Sequence, residues 1–377
     1  MLIHFRFFDL MKKVSLFLSI VLITLIVYSC KKDFSIYAPG EPITIVTGFL
    51  DPSQDTQFVK INKTWQGNGN NLEYAMIRDS SEYKWEEFNS ITIKEIVDGQ
   101  VLNTYNLLEI ELHDKDTGMF YGPNYTAYYF VKPDDFLEEA TYRLDVDFKN
   151  QKDVWSETNI VLSDVGLIDK PNPSFKVSFG TVSNAGIINF KDYKPRWYPY
   201  NNAGRYSASF DIHYKEMVWA NANHTDLISE ENKVIHWDIG DKETDDLIDG
   251  RYQLTVPGEA FYQLLAANME VNPLISRELG FLNAQSLATA TIDFNLSVAN
   301  EDFNDFIVVN QPSTTIVQER PQYTNINNGI GIFASRVNVK VKDIELNYTT
   351  YNVIPWIAGM GELNICTPEI TANIHCD

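Results

Sequence analysis

Ala288, Ala290, Ile292, Phe294, Leu296 and Val298 fall on every second position of one uninterrupted run. Side chains of a strand point alternately to its two faces, so this run fits a sheet with one buried and one wet face. It does not fit a helix, whose apolar positions recur every three or four residues. The same period marks most of the chain. Ile43, Ile45, Thr47 and Phe49 alternate before the turn Asp51-Pro52-Ser53, and Val59 and Ile61 follow. Ile91, Ile93 and Val97 lead into Asp98-Gly99, a pair that tolerates positive φ and predicts a tight hairpin. Tyr128 and Phe130 alternate, and Tyr142, Leu144, Val146 and Phe148 do so against Arg143, Asp145 and Asp147. Further on come Tyr206 to Tyr214, Ile235 to Ile239, and Val337, Val339 and Val341. Ile344 and Leu346 resume in the opposite phase, so the slip at Lys342-Asp343 predicts a β-bulge or bend.

These patterns predict a mainly β chain built as two antiparallel β-sandwich-like domains. The first, immunoglobulin-like, covers 43–168. Asp169-Lys170-Pro171-Asn172-Pro173 reads as a linker, because two prolines there oppose strand and helix alike. The second covers 174–355 and holds helices near 258–269 and 301–309, where Phe261, Leu264 and Leu265, then Phe303 and Phe306, share a face. Residues 356–377 read as a C-terminal tail. With 377 residues and 44% hydrophobic content, the chain has material for two cores.

The N-terminus has a different character. Met11-Lys12-Lys13 precedes an apolar run from Val14 to Tyr28, interrupted only by Ser15, Ser19 and Thr24, and then come Ser29 and Cys30. A basic start, an apolar run and a small residue before a break describe a signal peptide over 1–29, with Met11 a competing start. Ser29-Cys30 resembles the lipobox of bacterial lipoproteins, whose cysteine receives diacylglycerol and becomes the mature N-terminus. On that reading 30–42, with Pro39, Gly40 and Pro42, is a lipidated tether. The competing reading is an uncleaved transmembrane anchor, for which the run is near the lower limit of length. Loss of the first 29 residues removes Arg6, Lys12, Lys13 and Asp9, leaving 27 basic and 50 acidic residues and a net charge near −23. So acidic a chain repels phosphate backbones, which excludes nucleic acid as a partner.

Two internal stretches carry a wider resemblance: Ile45-Val46-Thr47-Gly48-Phe49-Leu50-Asp51 with Phe58 to Lys63, and Gln318 to Ile326 continuing through Asn328-Gly329-Ile330-Gly331-Ile332-Phe333. With Ser29-Cys30-Lys31-Lys32-Asp33 they look like a Bacteroidetes family of uncharacterised envelope lipoproteins. The resemblance implies a lipid anchor on Cys30, β-rich extracytoplasmic domains and a place on the outer membrane, with the leaflet open. It implies no activity and no catalytic residue. Gly329 and Gly331 permit a sharp turn into a strand or close approach to a ligand.

Catalytic signatures are missing: there is no G-x-S-x-G, P-loop, H-E-x-x-H or C-x-x-C, and Gly329-Ile330-Gly331 lacks the third glycine of a dinucleotide loop. The expected role is therefore binding or scaffolding, beside an outer-membrane protein, without catalysis. A carboxylate-dependent hydrolase is the enzymatic alternative, although 51 acidic residues give that signal no specificity. The other alternative is glycan binding by Trp197, Tyr198 and Tyr200, flat side chains in a loop that suit sugar rings or, equally, packing between sheets. Asp241, Glu243, Asp245 and Asp246 crowd what reads as one loop and suit calcium, or simply remain solvated. No other cofactor is expected. His213, His224 and His236 read as ordinary histidines. Cys366 and Cys376 either pair as a disulfide or lie free near the terminus.

Overall fold

The structure, a computed structural model, describes residues 42–65, 70–132, 134–162, 168–244, 247–279, 292–310 and 322–366. It is mainly β, as the alternation requires. The N-terminal half holds β1 (Thr44–Leu50), β2 (Thr56–Lys63), β3 (Phe88–Val97), β4 (Gln100–Asn106), β5 (Leu108–Leu112), β6 (Tyr125–Val131), β7 (Thr141–Phe148) and β8 (Val154–Asn159). One antiparallel layer runs β4-β3-β7-β8, and β1-β2-β6-β5 forms a second. Val46, Val59 and Ile61 from one layer share a core with Ile91, Leu144 and Val146 from the other. Asp98 and Gly99 turn the β3–β4 hairpin with φ 50 and 75.

The C-terminal half begins with short strands β9 (Ile168–Lys170), β10 (Gly180–Val182), β11 (Ile188–Phe190) and β12 (Arg196–Trp197). There follow β13 (Ala203–Trp219), β14 (Leu227–Glu243), β15 (Tyr252–Gln253), β16 (Ile275–Leu279), β17 (Ile292–Asn300), β18 (Gly329–Ile344) and β19 (Ile365–Cys366). A ten-stranded sheet runs β19-β16-β13-β17-β18-β1-β2-β6-β5, with β14 on the other edge of β13. The helix Gly258–Asn268 buries Phe261, Tyr262 and Leu265 against it. The helix Glu301–Asn310 sets Phe303 edge-on to Phe49, with centroids 4.7 Å apart. The phase slip is a bulge: Ile292 pairs with Ile344 but Phe294 with Val341, and Asp343 takes φ 63.

One sheet thus passes through both halves, joined where β1 and β18 pair in parallel from Thr44↔Gly329 to Leu50↔Ser335. The approach is close. Gly331 has φ 116, and a Cβ there would lie 2.0 Å from the Val46 carbonyl oxygen. The apolar interior divides into two clusters, one ending at Ile160 and the other beginning at Val161, with Ile326 and Phe333 returning to the first. The proline-bearing stretch after 168 is engaged, since β9 pairs with β12. Nor is the chain from 356 to 366 a free tail: Met360, Leu363 and Ile365 are apolar and pack into the second core. Among the described residues, no helix is long and apolar enough to cross a membrane.

Candidate functional site

The polar halves of the alternating strands build the site. On β13, Tyr206, Ala208, Phe210 and Ile212 enter the core, which turns Ser207, Ser209, Asp211 and His213 to the other face. On β17, Phe294, Leu296 and Val298 enter the core and Asp293, Asn295 and Ser297 face away; on β18, Asn338 and Lys340 do the same. β14 contributes His236 and Asp238 beside the inward Ile235 and Trp237. Cross-strand register aligns these into rungs. Asp238, Ser209, Asn295 and Lys340 form one, and Ser207, Ser297 and Asn338 the next. Small serines between longer side chains leave an open groove of about 460 Å³.

A chain of charged groups closes one end. Lys340 Nζ donates to Asp211 Oδ2 at 3.1 Å and pairs with Asp293 Oδ2 at 2.9 Å. His236 Nδ1 lies 2.9 Å from Asp211 Oδ1, and His213 Nε2 3.0 Å from Asp293 Oδ2. Asn295 Nδ2 donates to Asp211 Oδ2 at 2.8 Å, and the bulge turns the Asp343 amide onto Asp293 Oδ1 at 3.1 Å. Partial burial alone would lift the Asp211 carboxyl. The bonds from His236, Asn295 and Lys340 outweigh it and hold that group below the usual carboxylate range. The balance at Asp293 is the same, with Lys340, the Asp343 amide and His213 prevailing over burial. Burial works against the Lys340 charge, but its two carboxylates raise its pKa. Carboxylates held ionised in this way make poor general acids near neutral pH.

At the other end Arg205 pairs with Asp241 and, at 3.6 Å, with Glu243, and donates to Asn304 Oδ1 at 3.4 Å. The charges around the groove are therefore largely partnered within it. Ser207, Ser297 and Asn338, by contrast, make no side-chain hydrogen bond among the described residues. The groove can take up neutral hydrogen-bonding groups in place of the water that otherwise meets those side chains.

The sequence-level candidates land elsewhere. Trp197 is 0% exposed and Tyr200 6%. Trp197 packs against Tyr206, Tyr252 and Phe294, and the Tyr200 ring meets Tyr206 edge-on. The expected aromatic platform is core, because β13, β15 and β17 converge on it. Only Tyr198 is partly exposed, and its hydroxyl accepts from Arg251 at 2.7 Å. Asp241 and Glu243 are not on a loop: β14 continues through a bulge at Gly240, φ 115, and delivers both to Arg205. Asp245 and Asp246 lie outside the described residues, and among the described residues no group of three possible metal-binding side chains occurs. Cys30 and Cys376 also lie outside them. Cys366 is buried and disulfide-bonded. His224 stacks on Trp219 and meets the Pro273 carbonyl at 2.9 Å. His213 and His236, read as ordinary histidines, hydrogen-bond to Asp293 and Asp211 at one end of the groove. The signal for the groove was present in the polar phase, Ser207-x-Ser209-x-Asp211 and Asp293-x-Asn295-x-Ser297, but only the sheet order places the two runs together. No protein-family model matches this chain, and no curated protein matches it.

Proposed function

We propose that this chain is a lipid-anchored protein of the cell envelope, held by acyl chains on Cys30, which binds a neutral, hydroxyl-rich ligand such as a glycan in the groove of the ten-stranded sheet and does not transform it. The groove floor carries the reading: Ser207, Ser297 and Asn338 offer hydrogen bonds that no described side chain takes, while Lys340 and Arg205, the cations at its two ends, are already engaged by Asp211, Asp293, Asp241 and Glu243. Export has its own support. The basic start, apolar run and cysteine of the first 30 residues fit a signal with a lipidation site. A disulfide at Cys366 suits an oxidising compartment, and its partner on this reading is Cys376. The two separate apolar clusters favour two sandwich-like units, over 43–168 and 174–355, sharing one sheet.

An array of neutral oligosaccharides probed with the mature protein tests the binding. A bound glycan that is lost in Ser207→Trp, which fills the groove, and retained in Trp197→Phe, which changes only the core, is the expected result. No binding, or binding indifferent to Ser207→Trp, refutes the groove. The mass of the N-terminal peptide reads the anchor: diacylglycerol on Cys30 is expected, and an unmodified Cys30 on membrane-bound protein refutes it.

A further inference from the structure

The register of the first sandwich gathers several loops at one end. Ile45 pairs with Asn62, Leu112 with Tyr125 and Glu111 with Thr126, so the entry of β1, the exit of β2, the exit of β5 and the start of β6 lie together. The segments 70–81, ahead of β3, and 113–124, between β5 and β6, are tied where the Tyr121 amide donates to the Ala75 carbonyl at 2.8 Å, and the second joins two strand ends of that cluster. Leu72, Met76 and Ile77 on the first, and Met119 and Phe120 on the second, are between 47 and 65% exposed. Five large apolar side chains this open on two tied segments are a surface awaiting cover.

The chain itself indicates what covers it. The Thr64 amide donates to the Ile43 carbonyl at 2.9 Å, which fixes the point of entry at this same end. Residues 31–42, between Cys30 and that point, span at most about 40 Å. We infer that this end of the sandwich rests on the bilayer that holds the Cys30 acyl chains, with Leu72, Met76, Ile77, Met119 and Phe120 buried in its interfacial layer. The inference rests on the lipid-anchor reading. Lys60, Lys115, Asp114 and Asp116 line one hollow with Phe120, and Glu73 and Arg78 are chain neighbours of Leu72 and Ile77, so the charges near the patch are of both signs. Apolar burial therefore drives the contact, and anionic lipid is not required. Asn338 of the groove lies nine residues along β18 from Gly329, which pairs with Thr44 at the membrane end. At about 3.3 Å per residue the groove stands roughly 30 Å from the lipid and open to the surroundings.

The test uses the mature, acylated full chain in phosphatidylcholine vesicles, with a nitroxide placed in turn at Leu72→Cys, Met119→Cys and Ser53→Cys. Ser53 lies in the β1–β2 turn at the opposite end of the sandwich. Labels at 72 and 119 are expected to collide with oxygen in preference to a water-soluble nickel complex, and the label at 53 to show the reverse. All three sites are surface positions, so labelling leaves the core intact. If Cys30 proves acylated and the protein sediments with vesicles, yet 72 and 119 are as open to nickel as 53, the membrane contact is overturned and the anchor stands. Labels that are dry in whole envelopes but wet in protein-free vesicles overturn it too, in favour of a protein partner. If Cys30 carries no acyl group, the anchor reading fails and takes this contact with it.

Discussion

Gly331→Ala probes the junction of the two cores at a single atom. Gly331 holds φ 116, and the new Cβ would lie 2.0 Å from the Val46 carbonyl oxygen. The backbone shape alone costs a residue with a side chain about 1–3 kcal/mol. The overlap adds to this, because the atom in the way belongs to the backbone of β1 and has no rotamer to change. Parting β1 from β18 disturbs Phe333 and Val46, both fully buried, and forced repacking of that kind costs about 1–3 kcal/mol. The expected loss is therefore about 4 kcal/mol, a large share of the stability of an ordinary domain. Urea unfolding followed by tryptophan fluorescence reads it as a lower midpoint. Gly118→Ala is the control: its Cβ meets nothing within 4 Å, so a change within about 0.5 kcal/mol is expected. A loss below about 1 kcal/mol for Gly331→Ala, or one equal to the control, would refute the claim that glycine is what closes this ladder.

The remaining expectations concern the groove, the aromatic loop and the terminus. Asp211 and Asp293 have lowered pKa values, so their contribution is present above the unfolded value of about 3.9 and is lost as pH falls through the folded values. Lys340 is raised, so its share is complete below about pH 10.4 and lost as pH climbs through the folded value. Lys340→Met should cost about 1 kcal/mol at pH 7, a modest figure because the ammonium is 37% exposed and screened. The difference in thermal midpoint between wild type and Lys340→Met should shrink below pH 4, and an undiminished gap at pH 3 would argue against the pairing. Trp197→Ala should lose about 3–5 kcal/mol as a core truncation, whereas unchanged stability in urea would restore the exposed-platform reading. Peptide mapping without reduction should recover Cys366 joined to Cys376; Cys366 recovered with a free thiol would remove one support for export.

Strand positions were legible because period two needs no knowledge of neighbours. Tyr142 to Phe148 and Ile292 to Val298 read directly, and even the bulge at Asp343 showed as a change of phase. Pairing was not legible. On β1 alternation picked Ile43, Ile45, Thr47 and Phe49, whereas the strand buries the opposite phase, Val46 and Leu50, because Phe333 and Val59 close on that face, and nothing local says that β1 and β18, nearly the whole chain apart, lie side by side. Trp197 misled for the same reason. Pro199, Asn201 and Asn202 do mark a turn, but it is shorter than the run suggests, since Trp197 ends β12 and Ala203 opens β13, and whether the aromatics beside it are buried depends on Tyr252 and Phe294, far along the chain. Asp241 and Glu243 passed for loop residues because the bulge at Gly240 breaks the phase set by Ile235 and Trp237. The groove was the least legible feature. Each serine looked like the wet side of an ordinary strand, and only the order β14-β13-β17-β18 turns four wet sides into one surface.

The same sheet order bears on what the resemblance to envelope lipoproteins can mean. The stretches that carry it, around Gly48 and around Gly331, are neighbours in space: Gly48 pairs with Phe333 and Val46 with Gly331. Asn325 binds both the amide and the carbonyl of Phe333, at 3.0 and 2.7 Å, and so fixes the chain as it enters the strand. These are demands of backbone and packing, made where the two cores meet and where β1 begins at Thr44. The groove takes none of its polar side chains from either stretch. A protein that shares those stretches is thereby expected to share the joined sheet, while Ser207, Asn295, Ser297 and Asn338 remain free to be replaced. On the proposed reading, ligand choice lies with the outward residues of β13, β17 and β18, and a relative with the same junction but bulky side chains at those four places is expected to keep the fold and not to bind.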